Sequence, residues 1–190
     1  MTDAEFMILR IFKAPRPVIE RNPHLKMILR WGAGFDSVDI QAAGEHGVCV
    51  TNTPGANAGA VSELAVLLML AVGRKLLCHT ESLAKGEWSK NTFLNGSFCL
   101  NGKTLGVIGA GNIGGAIARG LVRGGVFNAS DITCTDLMQA NLDRLLSADA
   151  CFNVSQDNPT AIQGADLVVI AVKTWRVEAV IDEIRGTLDY

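Results

Sequence analysis

An apolar run, Leu105-Gly106-Val107-Ile108, ends in Gly109-Ala110-Gly111-Asn112-Ile113-Gly114 and passes directly into residues with helical spacing. A strand that turns on glycines into a helix opens a βαβ unit, so the surrounding chain is expected to be α/β with a mostly parallel sheet. The glycines meet different demands. Gly109 permits the tight turn, Gly111 lets a pyrophosphate approach the backbone, and Gly114 lets the helix pack closely on the strand. The N–H groups at the start of the helix, around Asn112 and Ile113, then favour an anion. A glycine turn without a ligand is the alternative reading.

The next strand is expected over 131–136 and ends in Asp136, about 20 residues beyond the turn, where a carboxylate accepts a hydrogen bond from the adenosine ribose. The following residues, Leu137, Met138 and Gln139, include no arginine to neutralise a 2′-phosphate. NAD is therefore expected, with NADP possible; an Asp136 that only caps the next helix leaves that choice open.

The alternation of elements continues along the whole chain. Strands are expected over 6–12, 25–31 and 48–51, with a short helix over 38–45. Asn52-Thr53-Pro54-Gly55 is turn chemistry, and Asn57 is a candidate N-cap for a long helix running to about Leu77. A further helix is expected over 78–88. The Asn-, Ser- and Gly-rich stretch 89–103 reads as the crossing between two domains, one over 1–100 and one over 101–190. In the second domain, strands over 104–109, 131–136, 151–155 and 166–171 alternate with helices, giving four strands where a full dinucleotide fold has six. The fold expected is thus a partial flavodoxin-like α/β domain followed by a truncated, doubly wound Rossmann domain.

Composition removes several classes of function. The net charge is −2, with no block of like charge, so neither nucleic acid nor an anionic membrane is an expected partner. The run from Leu64 to Gly73 is half the length of a membrane span, which needs about 20 residues. It is apolar on nearly every side, so more than one neighbour has to cover it, and a homodimer is expected. No secretory signal is visible, which points to the cytoplasm. The cysteines, Cys49, Cys78, Cys99, Cys134 and Cys151, form no C-x-x-C pair; neither disulfides nor a metal site is expected, and most are read as packing residues.

Residues 20–112 resemble the D-isomer-specific 2-hydroxyacid dehydrogenases, especially their phosphoglycerate dehydrogenase branch. The resemblance rests on Leu25-Lys26-Met27-Ile28-Leu29-Arg30-Trp31-Gly32-Ala33-Gly34-Phe35-Asp36, Val50-Thr51-Asn52-Thr53-Pro54-Gly55-Ala56-Asn57, Val61-Ser62-Glu63-Leu64 and Gly102-Lys103-Thr104-Leu105-Gly106. It implies that the loop with Arg30, Gly32, Ala33 and Gly34 binds the carboxylate of a small anionic 2-hydroxy or 2-oxo acid. It also implies that the long helix helps build a dimer interface. Glycines at 32 and 34 after a buried strand independently make a loop whose N–H groups can face an anion, with Arg30 adding charge; a plain surface arginine is the alternative.

From the glycine turn onward the chain resembles the N-terminal part of pyrroline-5-carboxylate reductase. The residues concerned are Val107 to Ile117, Ser130-Asp131-Ile132, Asn158, Gly164-Ala165-Asp166 and Ala171-Val172-Lys173, although Thr174 stands where that family usually has proline. That resemblance implies Ala171, Val172 and Lys173 beside the nicotinamide and Asn158 near the adenosine. Together the two resemblances imply a chain spliced within the strand-turn-helix at 104, with residues 1–19 matching neither family firmly and the first strand and helix of the substrate domain missing. The catalytic Arg, Glu and His of the dehydrogenases map to no residue here, and the helical domain that builds the reductase's substrate site has no counterpart. Nucleotide binding without turnover is the activity expected in solution. His24, His46 and His79 read as surface or helix-end residues.

Overall fold

A computed structural model describes residues 3–88 and 93–188. The expected crossing between domains, 89–103, lies partly outside them, at 89–92. The chain divides into two compact units, Met1–Glu63 and Leu64–Tyr190.

In the first unit, β1 (Phe6–Leu9), β2 (Met27–Arg30) and β3 (Cys49–Asn52) form a parallel sheet in that order, with Ile28 of the middle strand fully buried. Two short helices, α1 (Arg16–Glu20) and α2 (Ile40–Glu45), supply Ile19, Ala42 and Ala43 to a core with Leu9, Leu25, Ile28, Val38 and Val48. Asp39 caps α2 by accepting from the Ala42 N–H at 2.8 Å. α1 has no counterpart among the expected elements. Pro15 and Pro17 look like breakers, yet Pro15 is the N-cap and Pro17 sits in the first turn, where a missing N–H costs nothing.

The long helix α3 (Ala58–Gly73) spans the break between units, which falls earlier than the expected boundary near residue 100. Met69 and Leu100 both bury in the second core, and this places the chain after Glu63 with the second unit. The helix expected to reach Leu77 stops four residues sooner. Lys75 is left-handed at φ 49°, α4 (Leu76–Ala84) follows, and the Phe98 N–H donates to the Gly73 carbonyl at 2.8 Å. A side chain at Gly73 would come within 3.2 Å of Phe98, so glycine permits this approach. Among the described residues, no helix is long and apolar enough to cross a membrane.

The second unit follows the expected rhythm. β4 (Leu105–Ile108), α5 (Asn112–Arg123), β5 (Ile132–Thr135), α6 (Gln139–Ala148), β6 (Asn153–Ser155), α7 (Asn158–Ile162), β7 (Leu167–Ile170) and α8 (Val177–Ile184) alternate. Their strands make one parallel sheet in the order β6-β5-β4-β7. Every residue of β4 is buried, as expected of a central parallel strand covered on both faces. Leu105 and Val107 pack with Ala118, Leu121, Leu142 and Leu145 on one side, and Ile108 packs with Ile162, Val180 and Ile184 on the other. That alternation makes a three-layer α/β/α unit.

Asp166 locks the starts of β4 and β7 together. Its carboxylate accepts from Lys103 Nζ at 2.7 Å and from the Thr104 N–H at 2.9 Å, and these bonds hold its pKa below the usual carboxylate value. The cysteines depart from expectation, since Cys49, Cys78, Cys99 and Cys151 are exposed and only Cys134 is a packing residue. All five are free thiols. Burial pushes the Cys134 thiol up to about 12.

Candidate nucleotide site

The order β6-β5-β4-β7 makes β4 the strand where the chain changes direction across the sheet, and ligands of open α/β sheets sit beyond the carboxyl ends of the strands at such a point. The glycine turn leaves the end of β4 there. Gly109 is held at φ 94°, in the left-handed region, and its N–H and that of Ala110 both donate to the Thr135 carbonyl, at 2.9 and 2.8 Å. The turn is thus sewn to the end of β5. α5 begins immediately, its first internal bond running from the Gly115 N–H to the Gly111 carbonyl at 3.0 Å. The N–H groups of Asn112, Ile113 and Gly114 precede that bond and point out of the helix start.

Substitution geometry separates the three motif glycines. A Cβ on Gly114 would lie 1.9 Å from the Gly109 carbonyl oxygen and 3.0 Å from the Ala171 Cβ. One on Gly109 would lie 2.9 Å from the Ala171 carbonyl. Both glycines are required by the fold itself. Gly111 is different: its φ is an ordinary −64°, and a Cβ there would meet only Asn141 Nδ2, at 4.0 Å. Among the described residues nothing needs glycine at 111, whereas a ligand lying against the backbone would.

The expected nicotinamide-side segment arrives beside this turn. The Ala171 N–H donates to the Ile108 carbonyl at 2.8 Å, and Ala171 and Val172 pack against Gly109. Lys173 is exposed, with Nζ 5.9 Å from the Trp175 ring centre. Asp136 is half-buried at the end of β5, and its Oδ1 accepts from the Met138 N–H at 2.9 Å, just ahead of α6. Asn158, expected near the adenosine, is engaged inside the fold. Its Oδ1 accepts from the buried Thr135 hydroxyl at 2.6 Å, and its Nδ2 donates to Glu183 at 2.9 Å. It cross-links β5 to α8, a partnership no local sequence signal announces.

The other candidate residues lie in the first unit. Arg30, expected to add charge at this loop, turns its guanidinium onto the loop and donates to the Trp31 carbonyl, filling the space beside Gly32, where a Cβ would lie 2.0 Å from Nη1. Gly32 has φ 151°, and its carbonyl accepts from the Thr53 N–H at 3.1 Å. Asn52 Nδ2 donates to the Ala33 carbonyl at 2.7 Å, so the end of β3 pins the loop that contains Gly34. The three histidines are exposed; His46 Nδ1 lies 2.9 Å from the Ala42 carbonyl, and His79 stacks edge-on against Phe93 at 4.8 Å.

Comparison with known proteins extends the first of the two sequence resemblances. The hydroxypyruvate reductase of Thermotoga maritima is 49% identical over 107 residues, covering 56% of this chain and 34% of that protein. A glyoxylate reductase of Pyrococcus horikoshii is 32% identical over 168 residues, covering 85% of this chain and 47% of that protein. The D-lactate dehydrogenase of Aquifex aeolicus, solved with NAD and lactic acid, superposes with a TM-score of 0.71 over 90% of this chain and 49% of that one, at 23% identity, a likeness of fold. The chain therefore spans about a third to a half of these proteins. The family model for the catalytic domain of D-isomer-specific 2-hydroxyacid dehydrogenases matches residues 1–156, a range that extends well past residue 104. The expected splice into pyrroline-5-carboxylate reductase accordingly finds no support, and residues 1–19 fall within the matched region. The chain belongs to the D-isomer-specific 2-hydroxyacid dehydrogenase family.

Proposed function

We propose that this chain binds NAD in the crevice between β4 and β7 and acts in the oxidoreduction of a small 2-hydroxy or 2-oxo acid. The observation that carries the reading is Gly111, a glycine with no partner to avoid, at the mouth of a turn whose other two glycines are fixed by packing. In this reading the pyrophosphate lies across Gly111, Asn112 and Ile113, and Asp136 takes the adenosine ribose. Ala171 and Val172, with Lys173 behind them, border the nicotinamide. A carboxylate there favours NAD over NADP. Asn158 serves the site from behind, by holding Thr135, whose carbonyl fixes the turn.

The loop carrying Gly32, Ala33 and Gly34 is assigned to the substrate carboxylate through backbone N–H groups, with Arg30 bracing the loop from within. The histidines of this chain are spoken for by local contacts or lie exposed in the first half of the sequence, which favours binding over rapid hydride transfer by these 190 residues. Self-association is part of the proposal. Leu67 and Val72 of α3 are 54% and 61% exposed, and Leu64, Leu68 and Leu70 are similarly uncovered, an apolar surface that suits a second copy. The free thiols suit a cytoplasmic protein.

Titration with NADH and NADPH, read by nicotinamide fluorescence, tests the nucleotide reading; saturable binding that prefers NADH is expected, and no binding of either overturns it. Adding 2-oxo acids such as hydroxypyruvate and glyoxylate to the NADH complex tests the substrate class by oxidation of the cofactor. Light scattering is expected to show a dimer, and a monomer at all concentrations removes that part of the proposal.

A further inference from the structure

We propose that Arg144, assisted by Asn141, contacts the pyrophosphate of the dinucleotide bound beside Gly111; the assignment rests on the nucleotide reading above. Arg144 lies on α6, outside the glycine motif and beyond the residues that directly follow Asp136. Its Nη1 donates to Asn112 Oδ1 at 3.3 Å and its Nη2 to Asn141 Oδ1 at 3.4 Å. Both bonds are long, and both acceptors are neutral amides.

Among the described residues Arg144 makes no ion pair, whereas Arg16, Lys26, Lys103 and Arg185 each meet a carboxylate. Asp143, its acidic neighbour in sequence, points to a different side of the helix and is engaged by Gln139 Nε2 at 2.9 Å. The cation is therefore held at the edge of the crevice without a competing anion. Asn141 brings its Nδ2 to 4.0 Å from where a Gly111 Cβ would stand, and Asn112 is the residue immediately after Gly111. Three side chains from two helices thus converge on the open flank of Gly111, offering amide and guanidinium donors. A guanidinium fork pairs with two phosphate oxygens at once, and exchanging long bonds to amides for short bonds to an anion is favourable.

The placement selects the pyrophosphate over a 2′-phosphate. Arg144 is tied to the first residue of α5, beside the turn, while the ribose end of the site carries the Asp136 carboxylate, which repels a 2′-phosphate. The charge Arg144 supplies is common to NADH, NADPH and ADP-ribose.

Binding of these three compounds to wild-type protein, Arg144→Ala and Arg144→Lys, at two salt concentrations, tests the assignment. Arg144→Ala is expected to weaken all three to a similar extent, by roughly tenfold, and to flatten the salt dependence. Arg144→Lys, which keeps the charge but loses the fork, is expected to fall between. The side chain is exposed, so the melting temperature stays at the wild-type value. Unchanged affinity in Arg144→Ala overturns the assignment alone. A loss confined to NADPH overturns it in favour of a 2′-phosphate contact. Absence of binding in the wild type overturns it together with the nucleotide reading.

Discussion

Replacing Gly111 and Gly114 in turn by alanine separates a glycine kept for a ligand from one kept for packing. At Gly111 the backbone is extended, with φ −64° outside the left-handed region that favours glycine, and among the described residues the new methyl would meet only Asn141 Nδ2 at 4.0 Å. Removing glycine's freedom in the unfolded chain stabilises by about 0.4–1 kcal/mol. Alanine is a poorer N-cap than glycine by a few tenths to about 1 kcal/mol, so the net change is expected within about 0.5 kcal/mol of zero. At Gly114 the methyl would stand 1.9 Å from the Gly109 carbonyl oxygen, a rigid backbone atom, and 3.0 Å from the Ala171 Cβ. Overpacking of that severity costs about 3 kcal/mol or more, and in a unit of this size lowers the melting temperature by roughly 10 °C. Thermal unfolding and NADH titration on both variants give the comparison. The expected pattern is wild-type melting with weakened NADH binding for Gly111→Ala, and early melting for Gly114→Ala. Early melting of both, or full NADH affinity in Gly111→Ala, refutes the division of roles.

Other consequences follow from the packing and the ion pairs. Asn158→Ala leaves the buried Thr135 hydroxyl without its acceptor and is expected to lower stability by about 1–3 kcal/mol in denaturant unfolding. Asn158→Asp places two carboxylates together and is expected to destabilise similarly, while adding Glu183→Gln restores a donor and recovers most of the loss; additive losses in that double variant contradict the bridge. Asp166 titrates below its ordinary 3.8 because Lys103, and then the Thr104 N–H, bond its charged form. Its contribution to stability is therefore complete above that value and is lost as the pH falls through the lowered folded pKa. Asp166→Asn is expected to be less stable than wild type at neutral pH, with a shallower acid limb, in melts across pH. Cys134, buried and with its thiol near 12, is expected to resist alkylation in the native protein while Cys49, Cys78 and Cys99 react. Cys151 is expected to react more slowly than these, because a hydrogen bond to Asp149 raises its pKa. Mass spectrometry of alkylated protein gives the order, and early labelling of Cys134 contradicts its burial.

The second unit was the more legible because its signals are local and agree with one another. α5 runs over residues 112–123, with Gly111 ahead of it and the glycine pair at 124–125 behind it marking both ends. The strand ends of β4 and β5 were predicted to within a residue or so for the same reason, each bounded by a glycine or an aspartate. Legibility failed where distant contacts decide. The break at Lys75 depends on Phe98 bonding back to Gly73, a contact between residues far apart in sequence. Asn158 sits where family resemblance suggests a ligand contact, but Thr135 and Glu183, which occupy its amide, come from other elements. Arg30 looks like a free cation at a strand end until the missing Cβ of Gly32 gives its guanidinium room to fold back. Arg144 is far from Asn112 in sequence, and only the packing of α6 against α5 brings it there. Average burial favours packing cysteines, and among the five only Cys134 follows it.

The location of the nucleotide is the claim on which the rest depends, and amide NMR spectra of isotope-labelled protein titrated with NADH test it residue by residue. Shifts concentrated on 109–115, 136–138 and 171–173 are predicted, the three segments that meet at the ends of β4, β5 and β7. Unshifted amides in the glycine turn, or shifts confined to the first unit or to the exposed faces of α3 and α8, contradict it.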